Sequence, residues 1–231
     1  MRVVAIEMDF CEAYQPYLSM LCKEKVQKIE SMVQPADRLR SVCGELLVRK
    51  VISEGFNMEN RDIYFAENQY GKPYFPQKED FHFNISHSGK WVLGAFASVP
   101  VGVDVEEVHR PVDREVAALV LSPAELARYR QLEEGPAEGF FFRTWTLKES
   151  LVKAMGCGFY MEPSHMDIHW EGDTPVRCVM KNGWQGGDFR EYFLSKEYRA
   201  ALCVLDRVEI PLQLEQMKMK QFKEWLCTKS F

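Results

Sequence analysis

The spacing of apolar positions along the chain changes period several times, and each change marks an element. Val3 to Met8 form a short apolar run that reads as a strand, and residues 17–33 carry helical spacing through Leu18, Leu21, Val26, Ile29 and Val33. Pro35 separates these from a second helix, with Asp37 as N-cap, an apolar stripe through Leu39, Val42, Leu46 and Val48, and Gly55 as its stop. From 61 to 106, short β-branched and aromatic runs are broken by turns such as Ser88-Gly89-Lys90 and Ser98-Val99-Pro100, which predicts an antiparallel β-meander. Helical material returns at 112–132, where Ser122-Pro123-Ala124-Glu125 has the form of an N-cap, a first-turn proline and a first-turn acid. A longer helix over 138–155 ends at Gly156-Cys157-Gly158, short strands follow at 166–170, 176–180, 189–194 and 198–205, and the tail 212–226 is weakly amphipathic. Helices then sheet, twice over, predict an α+β fold of two similar halves, 1–105 and 106–231, joined near 105–115.

Composition adds limits to this picture. The chain has 231 residues, 46% apolar and 27% charged, a profile that excludes a disordered protein and supports one or two compact units. Its seven cysteines include no C-x-x-C pair and no zinc-type Cys/His grouping, so they fit a reduced, cytoplasmic protein. Acidic Glu7 and Asp9 interrupt any signal-peptide core, and no apolar run approaches membrane-spanning length, so no membrane partner is expected. The net charge of −5 argues against a nucleic-acid partner, because phosphate neutralisation needs a basic surface. Residues 21–50 run against that total, with seven basic side chains, among them Lys25, Lys28 and Arg40, against four acidic ones. That segment suits an anion.

Three places carry candidate chemistry. In Val-Gly-Val-Asp-Val-Glu, 101–106, period-2 alternation sends the valines to one face and Gly102, Asp104 and Glu106 to the other. Two carboxylates about 7 Å apart on one strand face raise each other's pKa unless a cation lies between them, which suits a hard divalent ion; a solvated strand end is the plainer reading. On the 138–155 helix, Glu149 and Lys153 share the polar face, where an i,i+4 ion pair is the plain alternative, and Lys148 falls inside the apolar arc, either snorkelling or reaching an anion. His87 stands at a strand end before a Ser-Gly turn, a place for phosphate or simply a polar turn residue. Spacing alone thus leads to a metal-dependent enzyme acting on phosphates, with a Mg²⁺-dependent nuclease and a non-catalytic carrier- or nucleotide-binding module as the competing readings.

The motifs themselves say more. FNISHSGKWVLGAFASVPVGVDVEEV at 83–108, then FFRTWTLKESLVKAMGCG at 141–158, together with NQYGKPYF at 68–75 and the basic early helices, closely resemble the signatures of the 4′-phosphopantetheinyl transferases of the surfactin-synthetase-activating type. The resemblance implies a monomeric pseudo-dimer of two α+β halves with coenzyme A in the cleft between them. It further implies transfer of the 4′-phosphopantetheine arm of coenzyme A to a serine of a peptidyl or acyl carrier protein, with release of 3′,5′-ADP. By position, Asp104, Glu106 and Glu149 match the family's Mg²⁺ ligands, with Mn²⁺ as an alternative ion, and Glu149 also matches its candidate base. Lys153 matches a pyrophosphate neighbour, and Lys25, Lys28, Arg40 and His87 match residues gripping the 3′-phosphate and pyrophosphate. Lys72 and Pro73 match the adenine-side loop, and Ser86 its neighbour. Carrier docking would fall around Val112 to Tyr129, in a pathway of nonribosomal peptide or polyketide assembly. Whether Glu107 joins the metal site, and what Lys148 does, stay open at this stage.

Overall fold

The computed structural model describes residues 1–108, 111–158 and 161–228, so part of the expected junction, residues 109–110, lies outside the described residues. Two sheets face each other. The first has the order β12-β1-β5-β4, from β1 (Arg2–Glu7), β4 (His82–Ser88), β5 (Trp91–Ala97) and β12 (Glu215–Lys218). The second has the order β10-β11-β6, from β6 (Val101–Glu107), β10 (Asp188–Tyr192) and β11 (Tyr198–Val204). Period-2 alternation in β1 sends Val4 and Ile6 toward the helix α2 (Pro35–Phe56), in a core with Val42, Leu46 and Ile52. The alternate residues Val3 and Ala5 join Leu93, Val101, Val103, Val105 and Leu202 in a second core between the sheets. On the far side of the second sheet, Ala201 and Cys203 pack with Leu147 and Leu151 of α5 (Pro136–Met155) and with the hairpin of β7 (Met166–Glu171) and β8 (Thr174–Met180). Each half is thus a small sheet with its main helix on the outer face, the expected α+β architecture.

Several local expectations change. The 17–33 helix divides into a 3₁₀ turn, Gln15–Met20, and α1 (Lys23–Glu30), because Leu21 and Cys22 are extended. The 112–132 helix also divides, into α3 (Arg114–Val120) and α4 (Pro123–Tyr129). Pro123 disfavours helical backbone at Ser122, and Ser122 forms a capping box with Glu125 instead. The meander is not continuous: β2 (Ala66–Glu67) and β3 (Pro73–Tyr74) form a separate ribbon, while β6 leaves the hairpin β4–β5 to pair antiparallel with β11. The tail is more ordered than its pattern predicts. It adds β12 parallel to β1, and α6 (Met219–Leu226) buries Met219, Phe222 and Leu226 in the first core, so this segment returns to the first half.

The two sheets meet where β4 runs beside β6, and there side chains bridge the strands. Asn84 Oδ1, Ser86 Oγ and Ser88 Oγ accept the backbone N–H groups of Val103, Val105 and Glu107 at 2.8, 3.3 and 3.0 Å. Gly102 lets α5 lie directly on β6. A Cβ at that position would stand 2.0 Å from the Ser150 carbonyl oxygen and 2.3 Å from the Ala154 nitrogen, both backbone atoms of α5. Gly102→Ala is therefore expected to force the helix outward and cost about 3 kcal/mol or more, read from the urea midpoint, with transfer activity falling alongside because α5 carries site residues.

Candidate functional site

The site is built where β6 meets α5. Strand alternation points Asp104 and Glu106 toward the helix, and helical spacing stacks Glu149 and Lys153 on its facing side. Asp104 is buried, 2% exposed, and its Oδ1 accepts from Ser86 Oγ at 2.8 Å and from the Lys153 ammonium. Lys153 also donates to Ser86 Oγ at 3.1 Å. Glu106 is held at both oxygens: Trp145 Nε1 donates to Oε1 at 3.1 Å and Ser88 Oγ to Oε2 at 3.3 Å. Ser86 and Ser88 therefore each grip a carboxylate and the backbone N–H of the following residue at once.

The electrostatics follow from this crowding. Burial pushes the Asp104 carboxyl above its ordinary range, against the pull of Lys153 and Ser86. Glu106 rises through burial and through the Asp104 charge. Glu149 rises through burial, with Asp104 and Glu106 adding to the shift and Lys153 opposing it. Burial thus raises all three carboxyls around the Lys153 ammonium, and the Asp104 charge adds to the shifts of Glu106 and Glu149. Among the described residues, no three His, Cys, Asp or Glu side chains stand in an arrangement that holds an ion as they are. The donor set nonetheless fits a hard divalent cation: all three groups offer oxygen, and Asp104 Oδ2 is a buried acceptor without a partner.

The other residues singled out in the sequence fall into three groups. Lys72, Pro73, Glu149 and Lys153 line one cavity of about 250 Å³, which lies between the β2–β3 turn and α5. The Lys72 ammonium itself rests on the carbonyl oxygens of Lys153 and Val101 at 2.5 and 3.2 Å, and burial lowers its pKa to about 8. Arg40 and His87 form the second group. Arg40 donates to the Gly89 carbonyl at 2.7 Å and to Asp37 at 2.6 Å, while its Nε is buried without a partner. Partial withdrawal from water and the nearby Arg40 charge hold His87 below the ordinary imidazole range. Lys25 and Lys28 stand apart from these contacts: Lys25 pairs with Glu45 at 3.5 Å, and Lys28 is exposed in the last turn of α1.

Two open questions close. Glu107 turns away from the carboxylates and accepts a hydrogen bond from the Tyr198 hydroxyl, as alternation along β6 requires. Lys148 does not snorkel. It is fully buried and donates to Glu125 Oε2 at 2.5 Å and to the carbonyls of Val120 and Pro163 at 2.8 and 2.9 Å. The sequence assigns no role to Asn84, Ser88 or Trp145, although the motifs at 83–108 and 141–158 contain them. The small polar residues at 84, 86 and 88, all on one face of β4, were the available signal for the first two.

Carboxylates and an ammonium gathered beside a cleft in an α+β protein, with Arg40 and His87 nearby, suit a phosphorylated ligand. Comparison with known proteins narrows the class. The profile of the 4′-phosphopantetheinyl transferase superfamily matches residues 100–203, and that of the 4′-phosphopantetheinyl transferase N-terminal region matches residues 10–99. The chain is 38% identical over 203 residues to the 4′-phosphopantetheinyl transferase gsp of Aneurinibacillus migulanus, covering 88% of this chain and 84% of that one. It is 31% identical over 206 residues to 4′-phosphopantetheinyl transferase Sfp of Bacillus subtilis (strain 168), covering 88% and 92%. The chain belongs to the 4′-phosphopantetheinyl transferase superfamily, and it is of the Sfp type.

Proposed function

We propose that this enzyme transfers the 4′-phosphopantetheine group of coenzyme A to a serine hydroxyl of a peptidyl or acyl carrier protein, converting apo carrier to holo carrier and releasing 3′,5′-ADP. The observation that carries this reading is the gathering of Asp104, Glu106 and Glu149 around Lys153, with Glu149 and Lys153 lining the same cavity as Lys72 and Pro73. In this reading coenzyme A lies between the halves 1–105 and 106–231, with Glu215–Leu226 returned to the first. Arg40 and His87 meet its phosphates, the buried unpartnered Nε of Arg40 being a donor in need of an acceptor. Lys25 and Lys28 extend that positive field from α1. Ser86 keeps Asp104 and Lys153 in register.

Asp104, Glu106 and Glu149 would hold Mg²⁺, or Mn²⁺ in its place. The bound ion supplies charge neutralisation and orientation for the pyrophosphate. Glu149 accepts the proton of the carrier serine, directly or through a water. The serine oxygen bonds to the phosphorus bearing the pantetheine arm, and the bond from that phosphorus to 3′,5′-ADP breaks. Lys153 offers an ammonium to the charge on the leaving phosphate. Exposed Val116 and Leu119 on α3 supply an apolar surface for the carrier, within the expected docking region Val112 to Tyr129.

The same reading makes the protein a cytoplasmic monomer serving nonribosomal peptide or polyketide assembly, with no nucleic-acid or membrane partner. It is supported by cysteines that are all free among the described residues and by the acidic net charge. Among the described residues no helix is long and apolar enough to cross a membrane. Incubation of an apo peptidyl carrier with enzyme, coenzyme A and Mg²⁺ is expected to give a phosphopantetheine-sized mass gain on the carrier. EDTA, or Asp104→Ala in the enzyme, is expected to abolish it. A gain that survives both treatments would overturn the assignment of the metal ligands and return the acids to a solvated role.

A further inference from the structure

The β2–β3 turn contains a residue with no part in the assignments above. Asn68 opens the turn: its N–H donates to the Lys72 carbonyl at 3.0 Å, and its own carbonyl accepts from Gly71 N–H at 2.9 Å. Its side-chain Oδ1 accepts from the N–H groups of Tyr70 and Lys72, both at 2.9 Å. These bonds already close the turn. The remaining donor, Nδ2, leaves the turn altogether and reaches the carbonyl of Gly156 at 2.9 Å.

Gly156 is the C-cap of α5, in the left-handed conformation at φ 67°. The last carbonyls of a helix have no partner within it. Here the partners come from the first half of the chain: Asn68 takes Gly156, while the Lys72 ammonium, at the other end of the same turn, takes Lys153 at 2.5 Å and Ala154 at 3.4 Å. The fit is close. A Cβ on Gly156 would stand 3.0 Å from Lys72 Cδ and 3.2 Å from Asn68 Nδ2. The turn and α5 are also opposite walls of the 250 Å³ cavity, which Tyr70, Lys72 and Pro73 line from one side and Glu149, Lys153 and Gly156 from the other.

We propose that Asn68 is a positioning residue whose amide latches the 68–72 turn to the end of α5 and so fixes the width of the coenzyme A cavity. The proposal rests on the reading of that cavity as the coenzyme A site. Because Oδ1 and the backbone shape the turn without help from Nδ2, the latch bond acts on the distance between the walls, beside the Lys72 ammonium that bridges them one turn earlier on α5. Its loss acts on ligand binding, while Asp104 and Glu106, held by Ser86, Ser88 and Trp145, keep their arrangement.

Asn68→Asp separates the two roles of the side chain. An Asp oxygen keeps the acceptor for Tyr70 and Lys72, while the other oxygen faces the Gly156 carbonyl at the negative end of α5 and repels it. The expected result is a rise of about tenfold in both the KM and the calorimetric Kd for coenzyme A, about 1.4 kcal/mol, with kcat within about twofold of wild type. Gly156→Ala crowds the latch from the other wall and is expected to raise the Kd for coenzyme A in the same direction, which covers the case of an unfolded Asn68→Asp. Wild-type binding with unchanged Kd in both variants would overturn the latch alone. A fall in kcat at unchanged KM would also overturn it, since that places the effect on the reacting groups. No binding of coenzyme A by the wild-type chain would overturn the latch together with the reading of the cavity.

Discussion

Glu149→Gln is expected to lower kcat about 10³-fold or more, because one carboxylate is asked both to hold the metal and to accept the serine proton. The same substitution is expected to stabilise the free enzyme at alkaline pH. Burial, together with the charges of Asp104 and Glu106, raises the Glu149 pKa above its ordinary value of 4.5. An acid whose folded pKa is raised binds protons more tightly in the native state. Its favourable contribution is therefore complete below the ordinary value and is lost as pH rises through the folded one. Glutamine carries no charge to lose, so the Tm of the variant should exceed that of the metal-free wild type at pH 8 and match it near pH 4. Added Mg²⁺ should then raise the wild-type Tm more than the variant's, since binding to the native state stabilises by mass action. Scanning calorimetry with and without Mg²⁺ reads both effects. A variant that melts below the wild type at pH 8 would contradict the like-charge account of this site.

Lys148→Ala is expected to be the most destabilising single change in the second half. The Lys148 ammonium is fully buried, and its partner Glu125 is 4% exposed, so removal of the lysine leaves an unpaired carboxylate in the interior. Loss of one member of such a pair costs about 3–5 kcal/mol, which for a chain of this size lowers Tm by about 10 °C. Glu125 also caps α4 through Ser122 and accepts the Ile168 N–H at 2.9 Å, so α4, α5 and β7 loosen together. The double variant Lys148→Met with Glu125→Gln should recover part of the loss, because no uncompensated charge remains. A single-variant loss below about 1 kcal/mol would contradict the buried-pair description.

These residues also show what was legible in the sequence. The 101–106 alternation correctly placed the valines in a core and Asp104 and Glu106 on the opposite face, because strand periodicity is a local property. The Ser122-Pro123-Ala124-Glu125 cap was legible for the same reason, although its consequence, a break in the 112–132 helix, was not drawn from it. Partners distant in the chain were not legible. Lys148 stood in the apolar arc of its helix, and nothing in helical spacing shows that Glu125, on another helix, meets it there. β6 looked like the last strand of a meander, yet it pairs with β11, some hundred residues later. The tail failed because β12 is short and gains its order from β1 and from the paired charges Arg2 and Glu215, at 2.8 and 2.9 Å. In the site, motif resemblance gave Asp104, Glu106, Glu149 and Lys153 as a set, which the fold brings together. It gave no role to Ser88 and Trp145, which hold Glu106, and no sign of the carbonyl partners of the Lys72 ammonium.

The central claim is that a phosphoryl bond moves from coenzyme A to a carrier serine at this carboxylate site. The most direct measurement follows 3′,5′-ADP release and carrier mass together in one reaction with Mg²⁺, using an apo carrier and the same carrier with its acceptor serine replaced by alanine. The account predicts one 3′,5′-ADP released for each phosphopantetheine gained by the serine carrier, and neither product with the alanine carrier. Release of 3′,5′-ADP that continues with the alanine carrier would contradict it, since the site would then be hydrolysing coenzyme A and not transferring its arm.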